Sequence, residues 1–338
     1  MVYFRRTVLA VLASLDAGYK NSQELLLESY YQPAVLAIDS GEWETARNEL
    51  AELAGLAPEY KDSQELLLES YYQLAVLAID AGEWTAAMQN VIALRQANPD
   101  YIDSKDIYED IVLGSGFVLV PAGEFIMGSD EGESYEGPVH TVYLDDFWIM
   151  RTEVTNREYG QCVAAGGCSA PDNSRWDDPD YAEHPVTHVS WNQAHEYAEW
   201  MGGALPTEAQ WEKACRGTEG VTYPWGNSSP NSSLLNFYNK NGTITPVGSY
   251  PDGASPYGVL YMAANVWEWT ADWYDDEYYQ HSPAQNPTGP SAGSSHVIRG
   301  GAFISIDDGW VRCASRYGGT AGYLINLNGF RLATGLYR

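Results

Sequence analysis

A 41-residue internal repeat constrains the first third of this chain more than any other feature of the sequence. Residues 22–31, SQELLLESYY, recur unchanged at residues 63–72. Three tyrosines keep the same interval: Tyr19, Tyr60 and Tyr101. A fixed period of this length is typical of solenoids, in which each unit buries its apolar face against the next unit. The sequence therefore predicts stacked helical units over residues 1–112.

Each unit is predicted to contain two helices joined by a short turn. Ser22 and Ser63 can cap the first helix of each copy, because a serine hydroxyl accepts a backbone N–H bond at that position. The second helix is expected to start near Trp43 or Trp84, and we expect these two indoles to be buried at equivalent positions. The pattern resembles the tetratricopeptide class, although the unit is longer than usual. We expect the repeats to act as a spacer or as a docking platform for a partner protein.

The same register extends toward the N-terminus. Leu9, Leu12 and Leu15 stand one period before three leucines of the next copy. Residues 5–18 are therefore predicted to be the second helix of an earlier unit, and the chain to belong to, or descend from, a longer array. The alternative is a signal peptide, because residues 5–13 combine two arginines with an apolar run. The repeat register favours the helix.

The chain is strongly acidic, with a formal net charge of −28. A charge of this sign repels phosphate, so we expect neither nucleic acid nor an anionic membrane surface as a partner. No apolar run reaches the roughly 20 residues that a membrane-spanning helix needs. We therefore expect a cytoplasmic protein whose acidic surface keeps it in solution.

The four cysteines include no CxxC pair, which disfavours a zinc ribbon. Cys162 and Cys168 flank a loop of small residues that can close into a short disulfide. Two free thiols in a reducing compartment are the equally weighted alternative. The sequence leaves both states of this pair open.

The character of the sequence changes at Phe117, after the linker 113–116. Short apolar runs predict two strands, at residues 117–123 and 139–144. Helices are predicted in three places: residues 156–165, residues 191–201 and the segment after Thr207. Thr207 and Gln210 can form a capping box at the start of the last helix. The remaining segments are rich in loops.

An ordered series of motifs runs through this second region. The motifs are VPAGEFIMGS (120–129), EVTN (153–156), HPV (184–186), VSW (189–191), LPTEAQWE (205–212), YPWG (223–226), NVWEWT (265–270), RGG (299–301) and GFR (329–331). Together they resemble the formylglycine-generating-enzyme family, which modifies sulfatases. The resemblance implies an α+β domain with a C-type lectin-like fold over residues 117–338, preceded by an all-α helical-repeat segment.

The resemblance also implies which chemistry to look for. Enzymes of the family activate oxygen at a copper ion bound by two cysteines after the Gly-Gly pair, because soft thiolates suit copper(I). In this chain Ser305 stands at the first cysteine position, and Gly309 or Trp310 at the second. Cys313 matches a framework position outside the metal pair, and a lone buried cysteine usually belongs to the core. We therefore expect no copper and no enzymatic oxidation.

Calcium is the second metal that the resemblance allows, bound by loop carbonyls and carboxylates. The candidate ligands of one site are Ala264, Val266 and Glu268, and those of another are Asn236 and Phe237. Tyr261 stands where the family usually has Asp or Asn, so the first site has lost one ligand. The alternative is that Glu268 is a structural carboxylate held by hydrogen bonds.

A second resemblance covers residues 299–333. Their frame of Arg, Gly and Phe motifs looks like the variable region of diversity-generating retroelement target proteins, which use the same lectin-like fold. Residues 303–309 and 317–328 contain no Lys, Glu, Gln, Met or Trp, the five types that adenine mutagenesis of asparagine codons does not produce. The expected ligand-binding residues are Phe303, Ile304, Ser305, Ile306, Asp307, Asp308, Trp310, Tyr317, Thr320, Tyr323, Ile325 and Asn326. Arg312, Arg316 and Arg331 are expected to point inward as frame residues.

Two functions follow from these resemblances. The first is a non-enzymatic protein that displays a diversified surface to a protein or another macromolecular ligand. The alternative is an enzyme or accessory protein of the sulfatase-modifying family with chemistry that does not use copper. The histidines give the alternative little support, because only His184 and His188 are closely spaced, and we expect a structural role for both.

Overall fold

The structure is a computed structural model of the chain. It describes residues 6–7, 9–11, 21–98, 101, 107–108, 111–112, 114–320 and 327–335. Within these residues, no helix is both long and apolar enough to cross a membrane. Most of the expected early helix at residues 5–18 lies outside the described residues. The chain divides into two compact units, residues 1–115 and 116–338.

The N-terminal unit contains two consecutive helical hairpins. Its helices are α1 (Ser22–Asp39), α2 (Trp43–Leu56), α3 (Ser63–Ala81) and α4 (Trp84–Ala97). Each helix packs against the next one in sequence. The buried residues of α2 recur one period later in α4: Ala46, Leu50 and Leu53 correspond to Ala87, Val91 and Leu94. The predicted helical repeats are therefore confirmed.

The helix starts differ from the sequence prediction in two respects. Ser22 and Ser63 are the first helical residues rather than the caps, and the residues before them make no side-chain cap bond. Trp43 and Trp84 occupy equivalent first positions of α2 and α4, but both indoles are half-buried. A side chain in the first turn of a helix lies at the end of the hairpin, where the neighbouring helices cover only part of a large ring.

The C-terminal unit contains three small sheets. Its strands are β1 (Phe117–Val120), β2 (Gly123–Met127), β3 (His140–Leu144), β4 (Phe147–Met150), β5 (Trp267–Trp273), β6 (His296–Arg299), β7 (Arg316–Gly319), β8 (Asn328–Phe330) and β9 (Ala333–Gly335). One sheet has the order β1-β4-β9, β2 and β3 form a hairpin, and the third sheet has the order β7-β6-β5-β8. The β5–β8 pair is parallel, and the other pairs are antiparallel.

Three helices complete this unit, and each begins with a capping box. They are α5 (Asn156–Ala164), α6 (Trp191–Trp200) and α7 (Glu208–Arg216). Thr207 accepts a hydrogen bond from the backbone of Gln210 and the Gln210 side chain accepts one in return, as the sequence predicted. Almost the whole of α7 is buried, including the side chains of Glu208 and Glu212. This helix therefore carries acidic groups into the centre of the unit.

Three buried arginines meet these and other buried carboxylates. The pairs are Arg299 with Glu212, Arg316 with Glu208, and Arg331 with Glu268. The Arg316 pair has hydrogen bonds of 2.7 and 2.9 Å, and both bonds of the Arg331 pair are 2.6 Å long. Parallel bonds of this kind match the fork of the guanidinium to the carboxylate. Arg312 also points inward, to buried Glu136 at 2.7 Å.

All four cysteines are paired. Cys162 is bonded to Cys168, which closes the short loop after α5. Cys215, in α7, is bonded to Cys313, 98 residues later and just before β7. The expectation that Cys313 is a lone core cysteine is therefore wrong, because the fold brings the end of α7 against the frame segment that precedes β7.

The substitution Glu268→Gln should lower the free energy of unfolding by about 3–5 kcal/mol, because it leaves the Arg331 charge buried without a counter-charge. Urea unfolding measures this change. The matched control is Glu183→Gln, which breaks an exposed pair with Arg157 and should change stability by no more than about 1 kcal/mol. Similar losses in the two variants would contradict a special role for the buried pair.

The buried carboxyl group of Asp272 makes the free energy of unfolding depend on pH. Burial raises the pKa of Asp272 to about 8 from an ordinary value of 3.8. Because the folded state binds this proton more tightly, the free energy of unfolding should fall as the pH rises between those two values. Asp272→Asn stays neutral and should flatten this fall in urea unfolding across a pH series. Asp252→Asn, at an exposed site, should not change it, and an unaltered slope in Asp272→Asn would refute the assignment.

Candidate ligand-binding surface

The loop at residues 303–310 begins directly after two glycines that allow a close approach to the core. Gly300 and Gly301 have φ values of +91° and +81°. A Cβ on Gly301 would lie 2.9 Å from the carbonyl oxygen of Trp310, at the other end of the loop. The positive φ angles and the tight packing both favour glycine here. The two ends of the loop therefore lie close together at its base.

Hydrogen bonds hold the backbone of this loop on both sides. The Phe303 N–H donates to the Asn265 carbonyl at 2.9 Å, and the Phe303 carbonyl accepts from the Asn239 N–H at 2.7 Å. The Ser305 carbonyl accepts from the Tyr238 N–H at 2.9 Å. These bonds involve main-chain atoms of the loop, so they do not depend on which side chains it carries.

Most side chains of the loop are exposed or half-buried. Ile304, Ile306 and Trp310 are 46%, 70% and 40% exposed. Asp307 is also exposed, and Phe303 and Asp308 are half-buried. Large apolar side chains clustered on one exposed loop are typical of a binding surface.

Ser305 differs from its neighbours and is a correction to the expected set. Its side chain is 1% exposed, and its hydroxyl accepts the Ala302 N–H at 3.0 Å. The hydroxyl therefore closes the turn that follows the glycines. Ser305 belongs to the framework of the loop and does not face a ligand.

The second expected segment is described only in part. Tyr317 is half-buried on β7, and its ring lies 5.7 Å from Tyr135 and 5.4 Å from Trp267. Thr320 is exposed. Tyr323, Ile325 and Asn326 lie outside the described residues. Leu327, near the end of this segment, lines the same cleft as Phe303 and Ile304 of the first loop.

This cleft has a volume of about 630 Å³. Its lining residues are Asn156, Asn173, Ser174, Arg175, Tyr181, Thr187, His188, Gly242, Thr243, Ile244, Phe303, Ile304 and Leu327. None of these residues is an Asp or a Glu, although the chain contains 46 of them. Asn156 is buried, and its Oδ1 has no hydrogen-bond partner while its Nδ2 donates to the Tyr181 carbonyl. The cleft thus combines an apolar wall with an unused acceptor.

The two closely spaced histidines differ in their positions. His188 lines the cleft, has a left-handed φ of +60°, and places Nδ1 3.2 Å from the Thr187 hydroxyl. His184 instead packs its ring against Tyr181. Burial lowers the pKa of both imidazoles. Among the described residues, no group of three or more His, Cys, Asp or Glu side chains is placed to hold a metal ion.

Residues 105–336 match the family described as the Sulfatase-modifying factor enzyme 1-like domain. The chain belongs to this family. The predicted family and the C-type lectin-like fold are therefore confirmed, and this fold corresponds to the C-terminal unit.

Proteins similar to this chain include some named as kinases and some named as formylglycine-generating enzymes. Serine/threonine-protein kinase pkn1 of Chlamydia caviae is 37% identical over 239 residues, which cover 65% of this chain but only 38% of the kinase. The formylglycine-generating enzyme of Streptomyces coelicolor is 34% identical over 278 residues, covering 64% of this chain and 88% of the enzyme. The structure of Treponema denticola variable protein 1 has a TM-score of 0.54 at 23% identity, and the match covers 64% of this chain and 94% of that one. This last likeness concerns the fold.

Within this family the copper chemistry requires thiolates, and the donor set of this chain does not fit it. All four cysteines are consumed in the two disulfides. Ser305 stands at one copper-ligand position, and its hydroxyl is engaged in the loop turn. Gly309 and Trp310, the candidates for the other position, offer no side-chain donor suited to copper(I).

The first expected calcium site does not fit either. Both carboxylate oxygens of Glu268 accept bonds from Arg331, and one of them also accepts the Trp211 indole N–H at 2.9 Å. A calcium ion would compete with a guanidinium for the same two oxygens. These bonds favour the alternative expectation, in which Glu268 is a structural carboxylate held by hydrogen bonds. Ala264 and Val266, the other candidate ligands of this site, are buried.

Asn236 and Phe237, the second expected site, lie in an amide network. The Asn236 Nδ2 donates to Thr243 and Asn265, and its Oδ1 accepts from Asn241 at 3.0 Å. Phe237 is buried against Tyr238, with ring centroids 4.3 Å apart. The side-chain oxygen of Asn236 is thus engaged by a neighbouring amide, and this arrangement supports the turn beneath the 303–310 loop.

Tyr238 is a surface residue that the sequence analysis missed. Its ring is 48% exposed, and its hydroxyl donates to Asp308 at 3.0 Å. Both Tyr238 and Asn239 have left-handed φ values, +55° and +52°. The Asn-rich sequence around it predicts a turn, but nothing in it indicates that this turn lies beside residues 303–310.

The purified protein supplied with copper should not convert the cysteine of a sulfatase-type peptide to formylglycine, because it has no thiolate to bind the metal. Mass spectrometry of the peptide measures the conversion. The Streptomyces coelicolor enzyme, assayed in parallel, is the positive control. Formylglycine formed by this protein above the enzyme-free background would overturn the expectation.

Proposed function

We propose that the C-terminal unit is a non-enzymatic ligand-binding scaffold that displays the 303–310 loop and the adjoining cleft to a macromolecular ligand. In this respect it would act like the variable protein of a diversity-generating retroelement. The observation that carries the proposal is the combination of a fixed loop backbone with exposed Ile304, Ile306 and Trp310.

The composition of the surface supports binding to another macromolecule. Binding surfaces typically have an aromatic and aliphatic centre and a polar rim, and tryptophan and tyrosine are enriched among the residues that dominate affinity. Ile306 and Trp310 supply the apolar area here. Exposed Asp307 and the Tyr238–Asp308 hydrogen bond supply polar groups around it.

The way in which the loop is fixed supports diversification. A loop whose conformation depended on its own side chains would be distorted when they changed. Here the hydrogen bonds run through the main chain, and the Ser305 hydroxyl and the Gly300–Gly301 pair fix the base. Residues 303–309 and 317–328 lack five residue types, as adenine mutagenesis of asparagine codons would require. Trp310 is one of those types, so it would be a fixed residue beside the diversified ones.

The alternative is an enzyme or accessory protein of the sulfatase-modifying family that does not use copper. It is favoured by the relatives named formylglycine-generating enzyme, and by the cleft with His188 on its wall. The unpaired Asn156 Oδ1 suits a ligand that donates a hydrogen bond, and it serves binding and catalysis equally. The side chains on the exposed loop distinguish the two functions, since a display surface uses them and a catalytic cleft does not require them.

We further infer that the protein resides in an oxidising compartment. Disulfides form and persist outside the reducing cytosol, and this chain has two of them, Cys162–Cys168 and Cys215–Cys313. Both pairs link segments of the C-terminal unit, which carries the proposed surface. This inference replaces the cytoplasmic localisation expected from the sequence.

Joint replacement of Ile304, Ile306 and Trp310 by serine should leave stability nearly unchanged, because each exposed side chain contributes within about 0.5 kcal/mol. Phe330→Ala, at a fully buried ring, should cost about 3–5 kcal/mol. Urea unfolding measures both changes. A triple variant that unfolds would exclude the display function.

Binding itself is tested by selection on a defined target. A phage-displayed library of this protein, randomised at Ile304, Ile306, Asp307 and Trp310, should yield folded variants that bind ubiquitin. The control library is randomised at Leu119, Ile126 and Val139, which are 39–41% exposed in or next to strands elsewhere in the unit, and it should yield none. Equal success of both libraries, or failure of the first, would count against the proposal.

A further inference from the structure

The repeats of the N-terminal unit allow one copy to be compared with the other. In the first copy, Glu28, Tyr31 and Tyr60 form a pocket around the ammonium group of Lys61. The Lys61 Nζ lies 2.6 Å from Glu28 Oε2 and 4.3 and 5.2 Å from the ring centroids of Tyr31 and Tyr60. An ammonium near the face of an aromatic ring is attracted by the ring's electrons. Glu28 and the two tyrosines therefore bind a lysine ammonium from within the chain, and the Lys61 side chain remains 43% exposed.

The partners of Glu28 define how this pocket works. The Tyr60 hydroxyl donates to Glu28 Oε2 at 2.6 Å, the atom that also binds Lys61, and Gln32 donates to Oε1 at 2.6 Å. The hydrogen bond from Lys61 is the largest cause that lowers the pKa of Glu28 to about 2. Oε2 of Glu28 thus binds the ammonium group, and Oε1 accepts a hydrogen bond from the Gln32 amide.

The second copy reproduces the tyrosine pair and the glutamate of this pocket. Tyr72 and Tyr101 lie 5.9 Å apart, the same ring separation as Tyr31 and Tyr60. The Tyr101 hydroxyl donates to Glu69 Oε2 at 2.7 Å, and Gln73 donates to Oε1 at 2.8 Å. Among the described residues, no Lys or Arg lies within ion-pair distance of Glu69. The residue one period after Lys61 is Ile102, which carries no charge.

A groove of about 960 Å³ opens onto this second pocket. Glu69, Tyr72 and Tyr101 line it together with Asp62 and Glu65, and its described lining includes no Lys, Arg or His. The three carboxylates among its described lining residues make the groove electrostatically complementary to a positively charged group. The groove gives such a group a route from solvent to the two rings.

We propose that the Glu69–Tyr72–Tyr101 pocket binds the ammonium group of a lysine side chain presented by a partner polypeptide. Lysine fits better than arginine because one carboxylate oxygen is enough for an ammonium, as Glu28 Oε2 is for Lys61 in the first pocket. In the second pocket Gln73 already donates to Oε1 of Glu69, so only Oε2 is left for an incoming cation. A planar guanidinium needs both oxygens for its paired bonds. The site lies in the helical repeats and is independent of the function proposed for the C-terminal unit.

The probe is the capped amino acid N-acetyl-L-lysine methylamide, titrated into the full-length protein with ¹³C-labelled tyrosine rings. Its NMR signals should show saturable shifts at Tyr72 and Tyr101 that weaken with added salt, because the attraction is ionic. The neutral control of equal length is N-acetyl-norleucine methylamide, which should produce no saturable shift. Equal binding of the norleucine or arginine analogue, or no saturation with lysine, would overturn the proposal.

Three variants of the full chain separate this site from a non-specific acidic surface. Glu69→Gln should weaken lysine binding at least about tenfold, whereas Glu52→Gln, at an exposed carboxylate on α2, should not change it. Ile102 stands one repeat period after Lys61 in the sequence, so we expect Ile102→Lys to raise Tm and to block the probe. Lys61→Ile should empty the first pocket and add shifts at Tyr31 and Tyr60.

The outcome with Ile102→Lys is decisive for the internal comparison. If the probe still saturates at Tyr72 and Tyr101 in this variant, the second pocket is not equivalent to the first, and the proposal is wrong. Circular dichroism confirms that each variant is folded. Spermidine distinguishes the source of the ammonium, because a free polyamine that binds much more tightly than capped lysine would indicate a small-molecule site instead of a partner polypeptide.

Discussion

The three buried arginine–carboxylate pairs are the constraint on which the C-terminal unit depends. This unit has short strands and long loops, so regular sheet bonding connects only a fraction of its segments. Each guanidinium has five N–H donors and reaches several loops at once. Arg316 binds Glu208 and also the carbonyls of Tyr135 and Asp275, and Arg331 binds Glu268 and the carbonyls of Met150 and Leu260. The pairs therefore act as internal clamps between segments that are far apart in sequence.

The net energy of such a pair is modest, because removing two charges from water offsets most of their attraction. Its value lies in geometry, since a buried charge tolerates few alternative arrangements. Arg299, at the end of β6, binds Glu212 of α7 and the carbonyls of Ala314 and Ser315. The 303–310 loop starts after Arg299 and ends before Ala314. Both ends of the loop are thus attached to the same clamp, and none of the Arg299 bonds involves an exposed side chain of the loop.

Much of this frame could be predicted from the sequence, and the reasons are local. Thr207 and Gln210 specify a helix start within four residues. The inward positions of Arg312, Arg316 and Arg331 follow from the resemblance of residues 299–333 to a variable-region frame, because a guanidinium can bind several loops at once. The burial of Ser305 could not be predicted in the same way, because it results from one hydroxyl bond to Ala302 inside a loop without periodicity. The sequence suggested an outward position for Ser305 as for its neighbours Phe303, Ile304, Ile306 and Asp307.

Contacts between distant segments set the limit of the sequence analysis. The partner of Cys313 lies 98 residues away, and no spacing rule connects it to Cys215. Glu268 occurs in a motif that suggested calcium, but its partner is Arg331, which follows 63 positions later. Tyr238 meets Asp308 across 70 positions. In each case the residue type was compatible with two roles, and only the fold decides which group it faces.

In the internal repeat, by contrast, the sequence itself shows which residues of the two copies correspond, and the structure shows what those residues contact. Residues 22–31 and 63–72 are identical, so the two pockets differ through residues outside this segment, where Lys61 corresponds to Ile102. A net charge of −28 raises the local concentration of cations around the whole chain, but long-range attraction does not choose among them. Selection requires a short-range feature, and paired tyrosine rings beside one available carboxylate oxygen provide it in the N-terminal unit. The described lining of the C-terminal cleft includes no carboxylate, so the two units are suited to ligands of different chemistry.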